Sequence, residues 1–428
     1  MVTTESSQII TLGIFVVSYI LIFSGKIHRT VASLLGLIMV VAAGYAFHFL
    51  TFESVLEYVD WNVILLLFGM MTYVGLMAKT GFFRYLGIKA IKLAKGDPWR
   101  IFLYLSLITT FVSMVVDNVT TILLVLPLTI EVSELLEINP IPILLGEAIL
   151  SDIGGVATLV GDPPNIMIAS RSGYNFNDFI AHLFIPVMVS LLLSIIAAKF
   201  VYRKWIRKKP KNVEKLLKID PRIYIEDETK MRYYLYVMVA MLILFATETI
   251  TGIPPPYIAL AGGVISLLIS RDEPREAFKA VEWPTLMFFV ALFALVGSLE
   301  DVGLLDMLAE GIASTTNNIL LLSVIILWVT GITSAFVDNI PITAAMIPVV
   351  ESLAAKFHTG LFWWALAMGV GMGGNITPIG SSANVITVSL SRRFGYEIRN
   401  RDWLLYGTIT GVISMAVCSV FLLILQYY

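Results

Sequence analysis

Apolar runs about one bilayer long recur from end to end of this chain, and no other feature constrains its fold so tightly. They lie near 9–25, 31–48, 61–79, 101–130, 141–170, 178–202, 232–250, 257–270, 284–300, 318–350, 361–390 and 403–427. A helix of about 20 apolar residues crosses a hydrocarbon core of roughly 30 Å. Only 14% of the 428 residues are charged and 58% are hydrophobic, with a mean hydropathy of +0.86, whereas a soluble domain carries about 25% charged residues. The chain reads as an all-α integral membrane protein with the lipid bilayer as its solvent. No secretory signal peptide is expected, because MVTTESSQ lacks a basic start and no small-residue cleavage site follows 9–25. The single Cys418 excludes an intramolecular disulfide. His28, His48, His182 and His358 are scattered without metal-ligand spacing. No basic domain stands outside the apolar runs, so no nucleic-acid partner is expected, and no bound cofactor.

Four runs, 101–130, 141–170, 318–350 and 361–390, are too long for one simple span. Tilt can absorb extra length. It does not explain why each run carries polar or helix-breaking residues near its middle. The sharpest case is 158-TLVGDPPNIM-167, where Gly161, Asp162, Pro163, Pro164 and Asn165 interrupt an apolar stretch. Two prolines stop a helix and remove two backbone donors. Asn165 offers both a donor and an acceptor. A helix broken at membrane depth frees carbonyls that can coordinate a cation and N-termini that favour an anion.

Lys and Arg set the orientation. The cluster 203-RKWIRKKPKNVEKLLK-218, the six basic residues within 79–100, and smaller groups at Lys26/Arg29, Arg271/Arg275/Lys279 and 392–401 are assigned to the cytoplasm. The loops 49–60, 251–256 and 301–317 then carry no Lys or Arg, and Arg171 and Lys356 fall outside. The N-terminus lies outside on this assignment. Residues 79–100 and 203–218 are both inside, yet three apolar runs separate them, so one of 101–130 and 141–170 must enter and leave on the same side. The same parity holds between 271–283 and 392–401. About ten spans and two re-entrant hairpins result.

The chain also repeats itself. 60-DWNVILLLFG-69 resembles 282-EWPTLMFFVA-291, an offset of 222. 116-VDNVTT-121 resembles 337-VDNIPI-342, an offset of 221, and 154-GGVATLVGDPPNIM-167 resembles 373-GGNITPIGSSANVI-386, an offset of 219. An odd number of crossings per unit makes the second copy inverted, an arrangement typical of secondary transporters. The expected organisation is an N-terminal span (1–30), repeat 1 (31–202), a cytoplasmic basic linker (203–231) and repeat 2 (232–428).

These paired motifs resemble the ion transporter superfamily, in particular its ArsB/NhaD-type permeases and, among them, the P-protein group; the superfamily also holds the divalent anion–sodium symporters. The likeness covers about residues 30–425. It implies that 101–130 and 318–350 are the hairpins, with Asp117-Asn118 and Asp338-Asn339 at their tips, and that 141–170 and 361–390 are spans unwound at their centres. It also implies a homodimer and elevator-type alternating access. The Asp-Asn tips depart from the Ser-Asn-Thr of the superfamily's carboxylate transporters and lean towards the ArsB/NhaD side.

Ionisable groups at membrane depth are costly and functional by default. Each tip is expected to face the break of its own repeat and form an oxygen-rich cation site, or to carry a proton on its Asp. The candidate ion- and substrate-binding residues are Asp117, Asn118, Thr120, Thr121, Thr158, Gly161, Asp162, Pro163, Pro164 and Asn165 in the first half. In the second they are Asp338, Asn339, Thr343, Asn375, Thr377, Gly380, Ser381, Ser382 and Asn384. Sodium is expected at Asp117, Asn118, Asp338 and Asn339. Both aspartates can also cap the helices that follow them. No Arg or Lys is expected at the centre. The halves differ in that Glu147, Asp152 and Asp162 of the first become Leu366, Gly371 and Ser381 in the second, with Glu147 and Asp152 expected near the cytoplasmic end and in reach of water. The amphipathic stretches 82–95 and 303–313 read as connector arms between scaffold and moving parts. The function expected is an ion-coupled secondary transporter, using Na⁺ or H⁺, of a small anion or oxyacid, arsenite-like or carboxylate-like, in the cytoplasmic membrane. A sodium–proton antiporter and an anion channel are the alternatives. An enzyme is disfavoured, because no Ser/His/Asp, metal-binding or Cys arrangement is present.

Overall fold

The structure is a computed structural model and describes residues 4–24, 26–47 and 50–427; His48 lies outside the described residues. Its regular elements there are all helical. The first half holds α1 (Thr4–Ser24), α2 (Arg29–Phe47), the short α3 (Phe52–Tyr58), α4 (Trp61–Lys79), α5 (Phe82–Ala94), α6 (Pro98–Ser113), α7 (Asn118–Leu135), α8 (Ile141–Gly155), α9 (Pro163–Ser172) and α10 (Phe176–Val201). The basic linker carries the short α11 (Arg203–Ile206) and α12 (Val213–Lys218). The second half holds α13 (Glu228–Ala246), α14 (Glu248–Thr251), α15 (Pro255–Ser270), α16 (Pro274–Ala277), α17 (Trp283–Asp301), α18 (Leu304–Ala313), α19 (Ile319–Phe336), α20 (Asn339–Phe357), α21 (Leu361–Gly373), α22 (Ser382–Arg393) and α23 (Asn400–Leu425).

Among the described residues ten helices are long and apolar enough to cross a bilayer: α1, α2, α4, α7, α10, α13, α17, α19, α20 and α23. They are not the ten spans read from sequence. Length and hydropathy pick out hairpin arms such as α19 and α20 and pass over α8 and α9, which are each too short alone. All four overlong runs are split in two, as α6/α7, α8/α9, α19/α20 and α21/α22.

The local causes of the splits are visible. Asp117 accepts the Thr120 amide at 2.9 Å and starts α7; Asp338 accepts the Ile340 amide at 3.1 Å and starts α20. At the breaks, glycine is needed for close approach. A Cβ on Gly161 would lie 2.6 Å from the carbonyl oxygens of both Gly155 and Ser113. One on Gly380 would lie 2.6 Å from that of Ser334. Each unwound segment therefore rests directly on the backbone of its hairpin. Side chains satisfy the carbonyls left without helical partners. Thr158 Oγ1 donates to Met114 O at 2.5 Å, and Thr377 Oγ1 donates to Ala335 O. Asn165 Nδ2 donates to Val156 O and Thr158 O at 3.0 and 2.8 Å. Asn384 Nδ2 donates to Gly374 O and Thr377 O at 3.1 and 3.3 Å. Pro127 in α7 and Pro348 in α20 add the same interior proline to both hairpins.

Two groups of helices form. In one, α4 packs on α15 and α2 on α17, with α1 on α2 and α13 on α15. Each of the two main pairs takes one helix from each half, so neither half builds this layer alone. In the other, α6 packs on α8, α19 on α21 and α10 on α23. The amphipathic α5 and α18 come between the groups in the chain. α5 buries Phe83, Ile88 and Ile91 against α6 and α7, and its Lys92 donates to Ile219 O of the linker at 2.6 Å.

Because backbone faces backbone at both breaks, Gly161→Ala and Gly380→Ala should each destabilise the protein by about 1–3 kcal/mol. Thermal unfolding of the purified variants reads this directly; unchanged melting in both would contradict the close approach.

Candidate functional site

Four helices, α7, α9, α20 and α22, begin in the interior, and their N-cap positions are held by Asp117, Asp162, Asp338 and Ser381. Helix N-termini carry partial positive charge and unpaired amides. Three carboxylates and one hydroxyl therefore face four positive helix ends.

The four caps do different things. Both oxygens of Asp117 are engaged by Thr120, from its amide and, at 2.7 Å, its hydroxyl. Asp162 makes no capping hydrogen bond at all. Its carboxylate instead accepts from Asn118 Nδ2 at 3.2 Å and from Asn339 Nδ2 at 3.4 Å to each oxygen. Asn118 Nδ2 also donates to Asp152 Oδ1 at 2.8 Å. Both hairpin tips thus meet on the first half's break, and Asn339 crosses to the opposite repeat. The expectation that each tip faces the break of its own repeat fails for Asn339. It holds for Asn118, and for Asp338, which accepts from Ser382 Oγ at 2.6 Å.

A second correction concerns charge. Arg29, at the start of α2, reaches the second break: its Nη1 donates to Asp338 Oδ2 at 2.9 Å and to Ser382 Oγ at 2.5 Å. The guanidinium stands over the Phe288 ring, 5.3 Å from its centroid. Its side chain is 24% exposed and that of Asp338 12%, so the pair is shielded well beyond an ordinary surface ion pair. Sequence reasoning placed Arg29 among the orientation-setting charges. The available signal was its position at the first turn of a span, within one side-chain length of the interior.

Glu147 and Asp152, expected in reach of water, are 1% and 2% exposed. Asp162, Asn118, Asn165, Asn339, Asn375 and Asn384 are buried too. The remaining candidates mostly serve backbone. Thr121 Oγ1 donates to Val116 O and Thr343 Oγ1 to Asn339 O. Asn375 Nδ2 donates to Gly371 O and Met372 O. Pro163 and Pro164 occupy the first positions of α9, where amides would otherwise need partners. What is left over is acceptors. Asp152 Oδ2, Asn165 Oδ1, Asn375 Oδ1 and Asn384 Oδ1 are buried without a protein hydrogen-bond donor. Among the described residues no three His, Cys, Asp or Glu side chains gather as metal ligands do. A cation at this centre would use amide and carbonyl oxygens beside one or two carboxylates, a donor set suited to a hard ion.

Two cavities separate the helix groups on one side. One, of about 180 Å³, is lined by Asp60, Met167, Arg171, Gly297, Glu300 and neighbours. The other, of about 330 Å³, runs between Asn62, Leu66, Ile166, Tyr174 and Tyr257. Arg171 of α9 lines the first and pairs with Glu300 of α17 at 3.2 Å and Glu351 of α20 at 2.9 Å.

A family model described as a citrate transporter matches residues 19–369. A 46 kDa membrane protein of Mycobacterium leprae is 36% identical over 421 residues, covering 97% of this chain and 98% of that relative. An uncharacterized transporter of Mycobacterium tuberculosis is 37% identical over 420 residues, again covering 97% and 98%. The human P protein is 30% identical over 507 aligned residues, 99% of this chain and 60% of the P protein. Among solved structures, the YdaH transporter of Alcanivorax borkumensis, described as having an unusual topology, superposes with a TM-score of 0.57 over 89% of this chain and 88% of that chain, at 15% identity. That likeness shows a shared fold.

Removing one partner of a shielded ion pair costs more than removing both. Arg29→Ala should destabilise the protein by about 1–3 kcal/mol, and Arg29→Ala combined with Asp338→Asn should recover part of that loss. Thermal melting of the single and double variants decides; fully additive losses would mean the pair is not coupled.

Proposed function

Because the chain belongs to the citrate transporter family, we propose that this membrane transporter is an ion-coupled secondary active carrier of a small carboxylate-type anion, of which citrate is the first candidate. The observation that carries the reading is that amide donors from both hairpin tips converge on one carboxylate, Asp162, where four helix N-termini meet. Those N-termini favour a negatively charged substrate. They favour it over an arsenite-like oxyacid, which is neutral at physiological pH.

Coupling follows from competition. While Asp162 is negatively charged, it occupies the Asn118 and Asn339 amides and repels an anion. A Na⁺ or H⁺ on the acidic cluster removes that charge and releases the amides to the substrate. Anion binding is then favourable only with the cation present, which is a coupling free energy between two sites. The unpartnered oxygens of Asp152, Asn165 and Asn384, with the tip residues Asp117, Asn118, Asp338 and Asn339, are the groups proposed to receive the cation.

The α4/α15 and α2/α17 layer is the scaffold, joined to a second scaffold in a homodimer. The broken helices, hairpins, α10 and α23 form the core that moves, elevator-fashion, with α5 and α18 as connecting arms. If the N-terminal span, expected to stand apart from repeat 1 (31–202), is instead counted with it, each half has five crossings, so that the two inverted repeats run 4–201 and 228–425, and each hairpin is re-entrant. The 203–230 linker lies on the cytoplasmic side of the inner membrane and the N-terminus outside, as the distribution of Lys and Arg directs.

Purified protein in liposomes should accumulate labelled citrate above equilibrium only when an inward Na⁺ or H⁺ gradient is imposed. Asp162→Asn, which keeps the shape and removes the charge, should make uptake insensitive to that gradient. Gradient-driven accumulation by the Asn variant would sink the coupling assignment. Sodium–proton exchange without any anion would establish the antiporter instead, and purely passive, electrically measurable flux would establish a channel.

A further inference from the structure

Away from the central cluster, the interface of α7 and α8 holds a carboxyl that the transport scheme does not use. Glu147 lies on α8, 1% exposed. Its Oε1 accepts from Thr129 Oγ1 of α7 at 2.6 Å, and its Oε2 is buried with no hydrogen-bond partner. It enters no ion pair among the described residues. Ser106 of α6 and Ser133 of α7 are buried beside this packing layer with unpartnered hydroxyls. A Cβ on Gly146 would lie 2.8 Å from Ser106 Oγ.

The protein contains its own control for this arrangement. The spacing that relates Asp117 to Asp338 relates Ser106, Thr129 and Ser133 to Leu327, Val350 and Ala354, and the spacing of the broken helices relates Glu147 to Leu366. α20 packs on α21 as α7 packs on α8. Val350 and Leu366 are fully buried. The same helix packing is thus completed elsewhere in the molecule by apolar residues alone, so the fold does not require a carboxyl here.

An ionised carboxylate with a single hydroxyl donor in a dry interface costs several kcal/mol. Its neutral acid form costs far less. A sodium ion would need several oxygens converging on one point. The Ser106 and Ser133 hydroxyls make no hydrogen bond to Glu147, so no such cage closes; a proton needs one oxygen. The surrounding charges do not offset a negative Glu147. Asp152 on the same helix and Asp117 on α7 are bonded to Asn118 and Thr120. Arg100 of α6, Glu131 and Glu134 of α7, Lys199 of α10, Arg392 and Arg393 of α22 and Arg401 of α23 are exposed, Asp402 of α23 is bonded to Arg399, and α21 carries no ionisable group.

We propose that Glu147 is a proton-binding site of the transport cycle, separate from the central cluster. Its carboxyl keeps the proton while α7 and α8 are closed. When they part, the O–H bond breaks, the proton passes to water and the carboxylate remains until water returns a proton. Thr129 and Ser133, one turn apart on one face of α7, lead towards the end of the hairpin that meets the linker, where Asn212 Nδ2 donates to Leu135 O. The coupling of this proton to citrate rests on the transport reading; the presence of the proton does not.

The test takes the purified full chain at neutral pH. Infrared difference spectra between wild type and Glu147→Gln should show one protonated-carboxyl band that the variant lacks, and Thr129→Val should shift that band. No such band would overturn the proposal. In liposomes carrying a pH dye, citrate uptake by Glu147→Gln should persist while citrate-driven proton influx falls at least tenfold. Undiminished influx would overturn the coupling role. Glu147→Leu, which installs the residue of the second repeat, should melt no lower than wild type; a large loss of stability would assign Glu147 a structural role instead. A wild-type band with no citrate transport would count against citrate and leave the proton site standing.

Discussion

A helix that ends inside a membrane protein strands backbone amides at its start or carbonyls at its end, and neither can be left bare where water is excluded. Here that happens at four pairs of ends: α6/α7, α8/α9, α19/α20 and α21/α22. Most of the polar residues around the breaks answer to this requirement. Thr158 and Thr377 take up hairpin carbonyl-side contacts, Asn165 and Asn384 bind the carbonyls of the unwound segments, and Asp117 and Asp338 cap the returning helices. Once those demands are met, the residues with capacity to spare are few. Around the breaks they are Asp162 and Ser381, which sit at cap positions without capping, and the unpartnered oxygens of Asp152, Asn165, Asn375 and Asn384; Glu147 Oε2 is a further one, away from the breaks. Function is read from this remainder.

The two halves solve the backbone problem in the same way and then diverge. Ser381 stands where Asp162 stands, and α21 has no acid to match Glu147 or Asp152. The symmetric part is the scaffolding of the breaks. The asymmetric part is charge: Asp152 and Asp162 stand at the first break, whereas at the second Arg29 offsets Asp338. The elevator motion proposed above would have to break bonds between the helix groups, among them the ion pairs Arg29–Asp338 and Arg171–Glu300 and the bond from the Tyr19 hydroxyl to Pro341 O. The Arg171–Glu300 pair is well exposed and contributes little to stability.

Much of this was legible in the sequence, because it is written in local signals. Overlong apolar runs with Gly, Pro and Asp at their centres marked the four breaks, and the offsets near 220 marked the repeat. The caps at Asp117 and Asp338 follow from residue type and position alone. What was not legible depends on contacts between distant segments. Arg29 reads as an orientation charge until α2 is seen packed on α17, with its side chain directed to Ser382. Asn339 looks identical in role to Asn118 until it is seen to cross to the other half's aspartate. Glu147 lies six residues from the start of a helix, where water is close in sequence terms, yet α6 and α7 cover it completely.

The central claim is that Asp162 links cation and anion binding through the amides of Asn118 and Asn339. Calorimetric titration of the purified protein with citrate, at several sodium concentrations and pH values, tests it without any assumption about transport. Citrate affinity should rise with the coupling cation in the wild type and lose that dependence in Asp162→Asn. Citrate binding with the same cation dependence in both proteins would contradict the account.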